Sequence, residues 1–536
     1  MKFKILSLAF LGAALGLQAQ QGYYDGVEYY RADQPEEAAI ILNKTINDPG
    51  TNKAEAYYYL GQIQLKAGNT AEAKKNFEAG IAADPTNGYN YVGLGALDLK
   101  QGKKQTAETH FKNAKSLAKK DADLITEIAR IYFNTDPVGF AKEIDKTIAD
   151  AKKADKQSPA PYILEADMIA KEDVGKAAQY YDMAQNFDTD NTHPEAYVKY
   201  ARKYFPVNPK FSIDKLKELL QKRPGSALAQ RELAEKYYAN NQLTMAAEQY
   251  GKYIQNPNHF AKDEQRYVGL LYFGKKYQES YDLARKLLSE DPDNIYMQRM
   301  QFLNKVALEQ YADALAHADV FFANPKGGFV ANDYTNYATA LQGVGQDSLA
   351  IIQYNKALEL APDKADLYKD LSAAYSSAKK YNEAAAAFQK FIDKGDYSTN
   401  DLFMLARRYQ NAAMSDTVPE TKSGSINKGL EVIEVVMQRV PDNARIAQTR
   451  AILIFLKNNS EDTDEVYDAF KLVVDILDKN PENAKTQQSI YTQALNRLGN
   501  HALIKDDKEG AKKHFGRMLE FNPDNTALRD YLKNMK

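Results

Sequence analysis

The 536-residue sequence contains no cysteine. This absence excludes disulfides, thiolate metal sites, cysteine nucleophiles and the lipidated cysteine of a bacterial lipoprotein. Stability must therefore come from packing. A basic excess is also missing, since the formal net charge is −2. Proteins that bind nucleic acids normally carry a clear positive charge, so we expect no nucleic-acid partner.

Long apolar runs are absent beyond the N-terminus. The apolar segment 5–17 follows Lys2 and Lys4, and Ala19 is a small residue before a plausible cleavage point. Residues 1–19 are therefore predicted to be a secretory signal peptide, although an uncleaved anchor is the alternative. The apolar stretch is about half the length of a membrane-spanning helix. We expect an exported, periplasmic chain without a membrane span, which a partner could hold at the outer membrane.

Patterns typical of catalysis or metal binding are scarce. The six histidines are scattered, and none has the paired spacing of a zinc-binding helix. Gly93-Leu94-Gly95 falls within a predicted helix, where the glycines serve packing better than phosphate binding. We therefore predict that the protein is not an enzyme, has no catalytic, cofactor-binding or metal-binding residues, and needs no cofactor.

What the sequence does contain is a repeat of 34 residues. In the N-terminal part the repeated residues are Tyr57, Leu60, Gly61, Ala73 and Phe77, followed by Tyr91, Leu94, Gly95, Ala107 and Phe111. Further along they are Tyr334, Tyr337, Ala350 and Tyr354, followed by Tyr368, Leu371, Ala384 and Phe388. Residue types that recur in order at this period are typical of stacked helix-turn-helix units.

The pattern resembles the tetratricopeptide repeat, and the chain resembles an exported bacterial member of that family. The chain contains no tryptophan, and tyrosine or an aliphatic residue stands at the position where the repeat usually has tryptophan. The resemblance implies an all-α fold, a right-handed superhelical solenoid of stacked antiparallel helix pairs, with about 12–14 repeats.

The period predicts how the chain is divided. The segments are a signal peptide (1–19), a degenerate first repeat (20–53), two clear repeats (54–121), irregular repeats (122–226), further repeats (227–398 and 399–525) and a C-terminal capping helix (526–536). Insertions interrupt the period at 411–426 and 458–464, and the first is predicted to be an exposed loop because it is polar and contains proline and glycine. Its Asp416-Thr417-Val418 resembles an O-glycosylation acceptor of some Gram-negative envelopes.

The resemblance also implies where a ligand would bind. Family members use the concave surface of the first helices, through repeat positions 2, 5, 6, 9, 12 and 13. Among the later units these positions contain a basic strip, which consists of Arg202, Arg231, Lys262, Arg266 and Arg299. Lys262 and Arg266 match part of a clamp for a peptide carboxylate, but Glu232 stands where that clamp needs asparagine. The alternative is that the strip is a solvated helix face.

The expected function is that of a non-catalytic scaffold in the periplasm or cell envelope, which binds protein or peptide partners in the groove of the superhelix. Two other classes stay open. One is an envelope protein that binds a glycan or another solute. The other is an enzyme whose site lies within the irregular segment 122–226.

Overall fold

The computed structural model describes residues 22–521 and 523–535, so the predicted signal peptide lies outside the described residues. The described residues form two compact units, unit 1 up to Leu287 and unit 2 from Leu288, and the boundary lies within the helix Tyr277–Glu290. All regular secondary structure in the described residues is helical, and consecutive helices pack in pairs. The predicted all-α array of helix pairs is therefore confirmed. None of the described helices has the length and apolar character needed to span a bilayer.

Unit 1 begins with a helix over the described residues 22–31, which we call α1. The helices that follow are α2 (Pro35–Thr45), α3 (Lys53–Lys66), α4 (Thr70–Ala83), α5 (Gly88–Lys100), α6 (Lys104–Leu117), α7 (Ala122–Thr135), α8 (Ala141–Ala154), α9 (Ala160–Ile169), α10 (Val174–Phe187), α11 (Glu195–Tyr204), α12 (Pro209–Lys222), α13 (Ala227–Ala239), α14 (Leu243–Ile254), α15 (Ala261–Phe273) and α16 (Tyr277–Glu290). Segment 122–226 therefore consists of three helix pairs, α7–α12.

Unit 2 continues in the same way. Its helices are α17 (Ile295–Ala307), α18 (Tyr311–Phe322), α19 (Ala331–Gly343), α20 (Asp347–Leu360), α21 (Ala365–Ser377), α22 (Tyr381–Asp393), α23 (Thr399–Ser415), α24 (Pro419–Arg439), α25 (Ala444–Lys457), α26 (Asp464–Asp478), α27 (Pro481–Thr486), α28 (Gln488–Ile504), α29 (Lys508–Phe521) and α30 (Thr526–Asn534). The last helix covers the segment expected to cap the array and has no buried residue.

The turn within several of the helix pairs also follows the 34-residue period. Gly68 and Gly102 have φ angles of 88° and 77°, a left-handed conformation that glycine adopts without steric cost. The same conformation recurs at Asn241, Lys275, Glu309 and Lys379. The backbone therefore keeps the period where the sequence no longer supplies glycine.

Close packing explains the small residues of the repeat. Phe77 of α4 is completely buried. A Cβ atom added to Gly61 in α3, or to Gly93 in α5, would lie 2.3 Å from the ring of Phe77. The ring therefore fills the space between its own pair and the next one, and the missing side chains allow the helices to approach.

The expectation of a loop at 411–426 was wrong. Helix α23 runs to Ser415 and α24 begins at Pro419, so residues 416–418 are the non-helical part of this segment. Asp416 accepts hydrogen bonds from the Val418 N–H (2.9 Å) and the Thr421 hydroxyl (2.6 Å), which fix the start of α24. The inserted residues therefore lengthen two paired helices. At the second insertion, residues 458–463 do form a non-helical connection.

Candidate functional site: the inner face and cavity of unit 1

The first helices of consecutive pairs in unit 1 pack side by side, α3 against α5, α5 against α7 and α7 against α9. We call the surface formed by α3, α5, α7, α9, α11, α13 and α15 the inner face. Helices α1 and α2 lie on this face. Tyr29 and Ile41 are buried in one apolar cluster with Val198, Leu228 and Phe260, and the rings of Tyr29 and Phe260 are 5.3 Å apart.

Buried polar contacts hold α1 in place. Glu28 pairs with Arg223 (Oε1 to Nη2, 2.5 Å) and accepts a hydrogen bond from the Ser226 hydroxyl (2.6 Å). Asp25 accepts one from the Asn258 amide (2.6 Å). Because each of these carboxylates has a donor, the inner face binds this helix by charge as well as by apolar contact.

Three residues of the predicted basic strip bind the N-terminal helix pair. Arg202 donates to the Ala32 carbonyl (2.5 Å) and pairs with Glu232. Arg231 donates to Gln34 (3.0 Å) and pairs with Asp263, and Lys262 pairs with Glu37 (3.0 Å). The chain's own helices therefore occupy this part of the strip.

The other two residues of the strip lie elsewhere. Arg266 is paired with Glu235 (2.7 Å) and its guanidinium lies 4.6 Å from the centre of the Tyr238 ring. Arg299 belongs to unit 2, where it pairs with Asp333 (3.1 Å) and donates to the Gly328 carbonyl (2.8 Å). All five basic residues thus have acceptors within their own unit.

Beside the N-terminal pair, the inner face encloses a cavity of about 750 Å³. Its lining combines apolar residues from α3, α5 and α7 with six lysines and arginines, five carboxylates and His193. Lys66, Lys100 and Lys203 are exposed, so the cavity reaches solvent beside these three lysines. A concave site with convergent polar groups is the usual form of a binding site.

Most charges of the cavity form a connected network. Asp167 pairs with Arg130 (2.6 Å) and Lys199 (2.8 Å) and accepts a hydrogen bond from the Tyr181 hydroxyl (2.6 Å). Burial alone would raise the pKa of Asp167, but Lys199 and Arg130 outweigh it and lower the pKa to about 2. Asp167 therefore stays ionised and holds two cations against the cavity wall.

His193 lies between two carboxylates. Its Nε2 is 2.8 Å from Asp123, and its Nδ1 is 3.8 Å from Asp188. Burial opposes protonation, but Glu195 and the hydrogen bonds to Asp123 and Asp188 raise the pKa of His193 to about 10. Against the opposing effect of burial, His193 lowers the pKa of Asp123 to about 2. The imidazole is therefore a buried cation over the physiological pH range.

Two groups of the cavity lining lack hydrogen-bond partners among the described residues. Glu195 is 5% exposed, and its Oε2 is buried without a donor. The Nε2 of Gln62 is buried without an acceptor. Buried polar atoms are nearly always hydrogen-bonded, so each of these is an unmet requirement for a donor or an acceptor.

Comparison with known families matches residues 54–87 to the tetratricopeptide repeat. This match falls on α3 and α4, which have the helix lengths, the turn and the packing described above. The chain is a tetratricopeptide repeat protein. The resemblance predicted from the sequence is thereby confirmed for the repeat.

Solved structures of other tetratricopeptide repeat proteins are similar to parts of this one. The C-terminal part of a repeat protein from Cytophaga hutchinsonii is 18% identical, with 50% of this chain and 98% of that chain covered and a TM-score of 0.40. A repeat protein from Parabacteroides merdae is 12% identical, with 49% and 98% covered and a TM-score of 0.34. YrrB, described as having an unusual peptide-binding site, is 20% identical, with 38% and 92% covered and a TM-score of 0.28. No curated protein sequence matches the chain.

In this tetratricopeptide repeat protein, equivalent positions of successive repeats line the cavity. Position 9 contributes Gln62, Ala96 and Arg130, each 34 residues after the last. Position 12 contributes Leu65, Leu99 and Phe133 in the same way. The repeat therefore converts one position of a helix into a row of side chains across the inner face.

This cavity was not predicted from the sequence, although the same repeat positions line it. The basic strip was predicted from a row of like charge at positions 2, 5, 6, 9, 12 and 13 of the later units. In the earlier units those positions alternate between acids, bases and apolar residues, and position 2 gives Tyr89, Asp123 and Glu195. The residues that line the cavity share repeat positions, but because their charges are mixed, a row of like charge does not reveal them.

Proposed function

We propose that this protein is a non-catalytic scaffold of the cell envelope, and that it binds a protein or peptide partner in the cavity of unit 1. One observation carries the proposal. The inner face already binds polypeptide, namely the chain's own α1 and α2, and beside them it leaves a cavity of about 750 Å³ that reaches solvent. A peptide would use the same contacts, with apolar side chains on the helix faces and ion pairs around them.

Site-specific photocrosslinking tests this function. A benzophenone analogue of phenylalanine at Phe133 places the reactive group in the cavity lining. The same group at Val138, which is 86% exposed and outside the lining, provides the matched control. We expect one dominant protein partner to be crosslinked from position 133 in the native host and not from position 138.

Two outcomes would contradict the proposal. Equal crosslinking from both positions would show collisions at the surface and no binding in the cavity. Failure to crosslink any protein from position 133, together with saturable binding of a glycan or another small solute, would favour the alternative of a solute-binding envelope protein.

We further propose that residues 1–19 export the chain to the periplasm. The basic and apolar order of the N-terminus supports this location. Intact mass and N-terminal sequencing of the protein from its native host provide the test. The expected product begins at Gln20 and is found in the periplasmic fraction, whereas an uncleaved chain in the cytoplasm would contradict the proposal.

A further inference from the structure

The carboxylate of Glu195 differs from the other carboxylates of the cavity lining. Asp123 has His193 and Asp167 has Arg130, whereas the described residues provide no hydrogen bond to Glu195 Oε2. Leaving a buried acceptor unpaired costs about 1–3 kcal/mol, and more for a charged group. A ligand that supplies a donor here would recover this free energy.

Two cations, Arg31 and His193, interact electrostatically with Glu195, and both already bind other groups. Arg31 donates to the Tyr59 hydroxyl (3.0 Å) and to the Thr192 carbonyl (3.3 Å). His193 is held by Asp123 and Asp188. Neither donates to Glu195 Oε2, so a bound ligand can supply the donor that this oxygen lacks.

We propose that the cavity takes the ammonium or guanidinium group of a lysine or arginine side chain in a bound peptide, and that Glu195 Oε2 accepts its hydrogen bond. This inference rests on the proposed function and adds the chemistry of the ligand. A carboxylate binds charged donors more strongly than neutral ones, and it repels an acidic side chain.

Gln62 indicates why a peptide fits better than a simple amine. Its buried Nε2 requires an acceptor, and a peptide backbone supplies carbonyl oxygens, whereas an alkyl diamine supplies donors alone. Leu65, Leu99 and Ile131 provide apolar surface for the aliphatic stem of the basic side chain. A volume of about 750 Å³ exceeds the needs of one side chain, so adjacent residues of the peptide fit as well.

Selection from a random peptide display library on the intact protein without residues 1–19 tests the inference. Enriched peptides are expected to share one lysine or arginine. Replacement of that residue by norleucine should weaken binding at least tenfold in a fluorescence polarisation titration. Glu195→Gln should weaken binding of the parent peptide by a similar factor and should leave binding of the norleucine peptide unchanged.

Glu172→Gln is the matched control, because Glu172 is exposed and outside the cavity lining. It removes the same charge from unit 1 and should leave binding unchanged. The norleucine peptide tests the same contact on unaltered protein, so the result does not depend on whether Glu195→Gln folds.

The other outcomes separate the two proposals. If no peptide is enriched, the proposed peptide-binding function is wrong. If peptides are enriched but share no basic residue, or bind Glu195→Gln and the parent protein equally, the function stands and this inference is wrong. If cadaverine binds as tightly as the peptides and depends on Glu195, the ligand is a free amine and the peptide source is overturned.

Discussion

The guanidinium of Arg231 lies side-on against the carboxylate of Asp263, with Nε 2.8 Å from Oδ2 and Nη2 3.2 Å from Oδ1. The side chain of Arg231 is 16% exposed, and it also binds Gln34, the residue that precedes α2. Arg266 forms a similar pair with Glu235, but its side chain is 42% exposed. Two arginines of one predicted strip thus differ mainly in burial.

This difference predicts unequal effects of removing the two arginines. Arg231→Ala leaves the buried Asp263 with the Tyr253 hydroxyl but without a cation, and should lower the free energy of unfolding by about 3 kcal/mol. Arg266→Ala breaks an exposed pair and should cost less than about 1 kcal/mol. Urea unfolding followed by circular dichroism measures both. Equal losses would show that Arg231 does not hold the N-terminal helix pair.

His193 predicts a pH dependence of stability. Its pKa of about 10 in the folded chain exceeds the ordinary value of 6.5, so its contribution is complete below about pH 6.5 and is lost as the pH rises towards 10. His193→Asn should therefore lower the free energy of unfolding by about 3 kcal/mol at pH 6. The difference from the parent protein should shrink between pH 6.5 and 10 in urea titrations.

His514 provides a control of opposite sign. Burial lowers the pKa of His514, so its neutral form is favoured in the folded chain. Its contribution should therefore increase as the pH rises through 6.5. A common pH trend for His193→Asn and His514→Asn would contradict the assignment of His193 as a buried cation.

Two glycine substitutions test the packing and the lengthened helix. Gly95→Ala places a Cβ 2.3 Å from the Phe111 ring and should destabilise the protein by about 1–3 kcal/mol. Gly424 lies in α24 with no other atom near its added Cβ, so Gly424→Ala should stabilise the helix by about 0.5–1 kcal/mol. Thermal unfolding measures both. Loss of stability in Gly424→Ala would contradict a helix across 419–426.

The short connection between α23 and α24 exposes Thr417. The Asp416-Thr417-Val418 sequence predicts that a sugar is attached to this hydroxyl when the protein is made in its native host. Intact-mass measurement should show an added mass that disappears in Thr417→Ala and persists in Thr421→Ala. An unmodified mass in the parent protein would end the hypothesis.

The sequence predicted the parts of the fold that depend on neighbouring residues. Ala73, Phe77, Ala350 and Phe388 repeat because each fills a space within or beside its own helix pair, and all four are buried. The prediction of a loop at 411–426 was wrong. It rested on the composition of the segment alone, which does not show that the segment can pack as a helix against a neighbouring helix. Asp416 accepts hydrogen bonds from Val418 and Thr421 at the start of the second helix.

The candidate site was predicted less well because it depends on distant residues. The period gave no sign that Glu28 would meet Ser226, or that Arg231 would face Gln34. These contacts join helices separated by about six repeats. The repeat pattern of a solenoid predicts only the contacts between adjacent repeats. A single sequence contains no information on such pairings unless the side chains themselves recur.

The contact between the N-terminal helix pair and the inner face also sets the order in which unit 1 can fold. Glu28 and Ser226 are 198 positions apart, and Lys44 and Pro257 are 213 apart. While the chain is being made, α1 and α2 can pack on α3, but their docking surface on α13 and α15 does not yet exist. Closing so long a loop slows folding, and it converts an array that could fray from one end into a unit that opens as a whole.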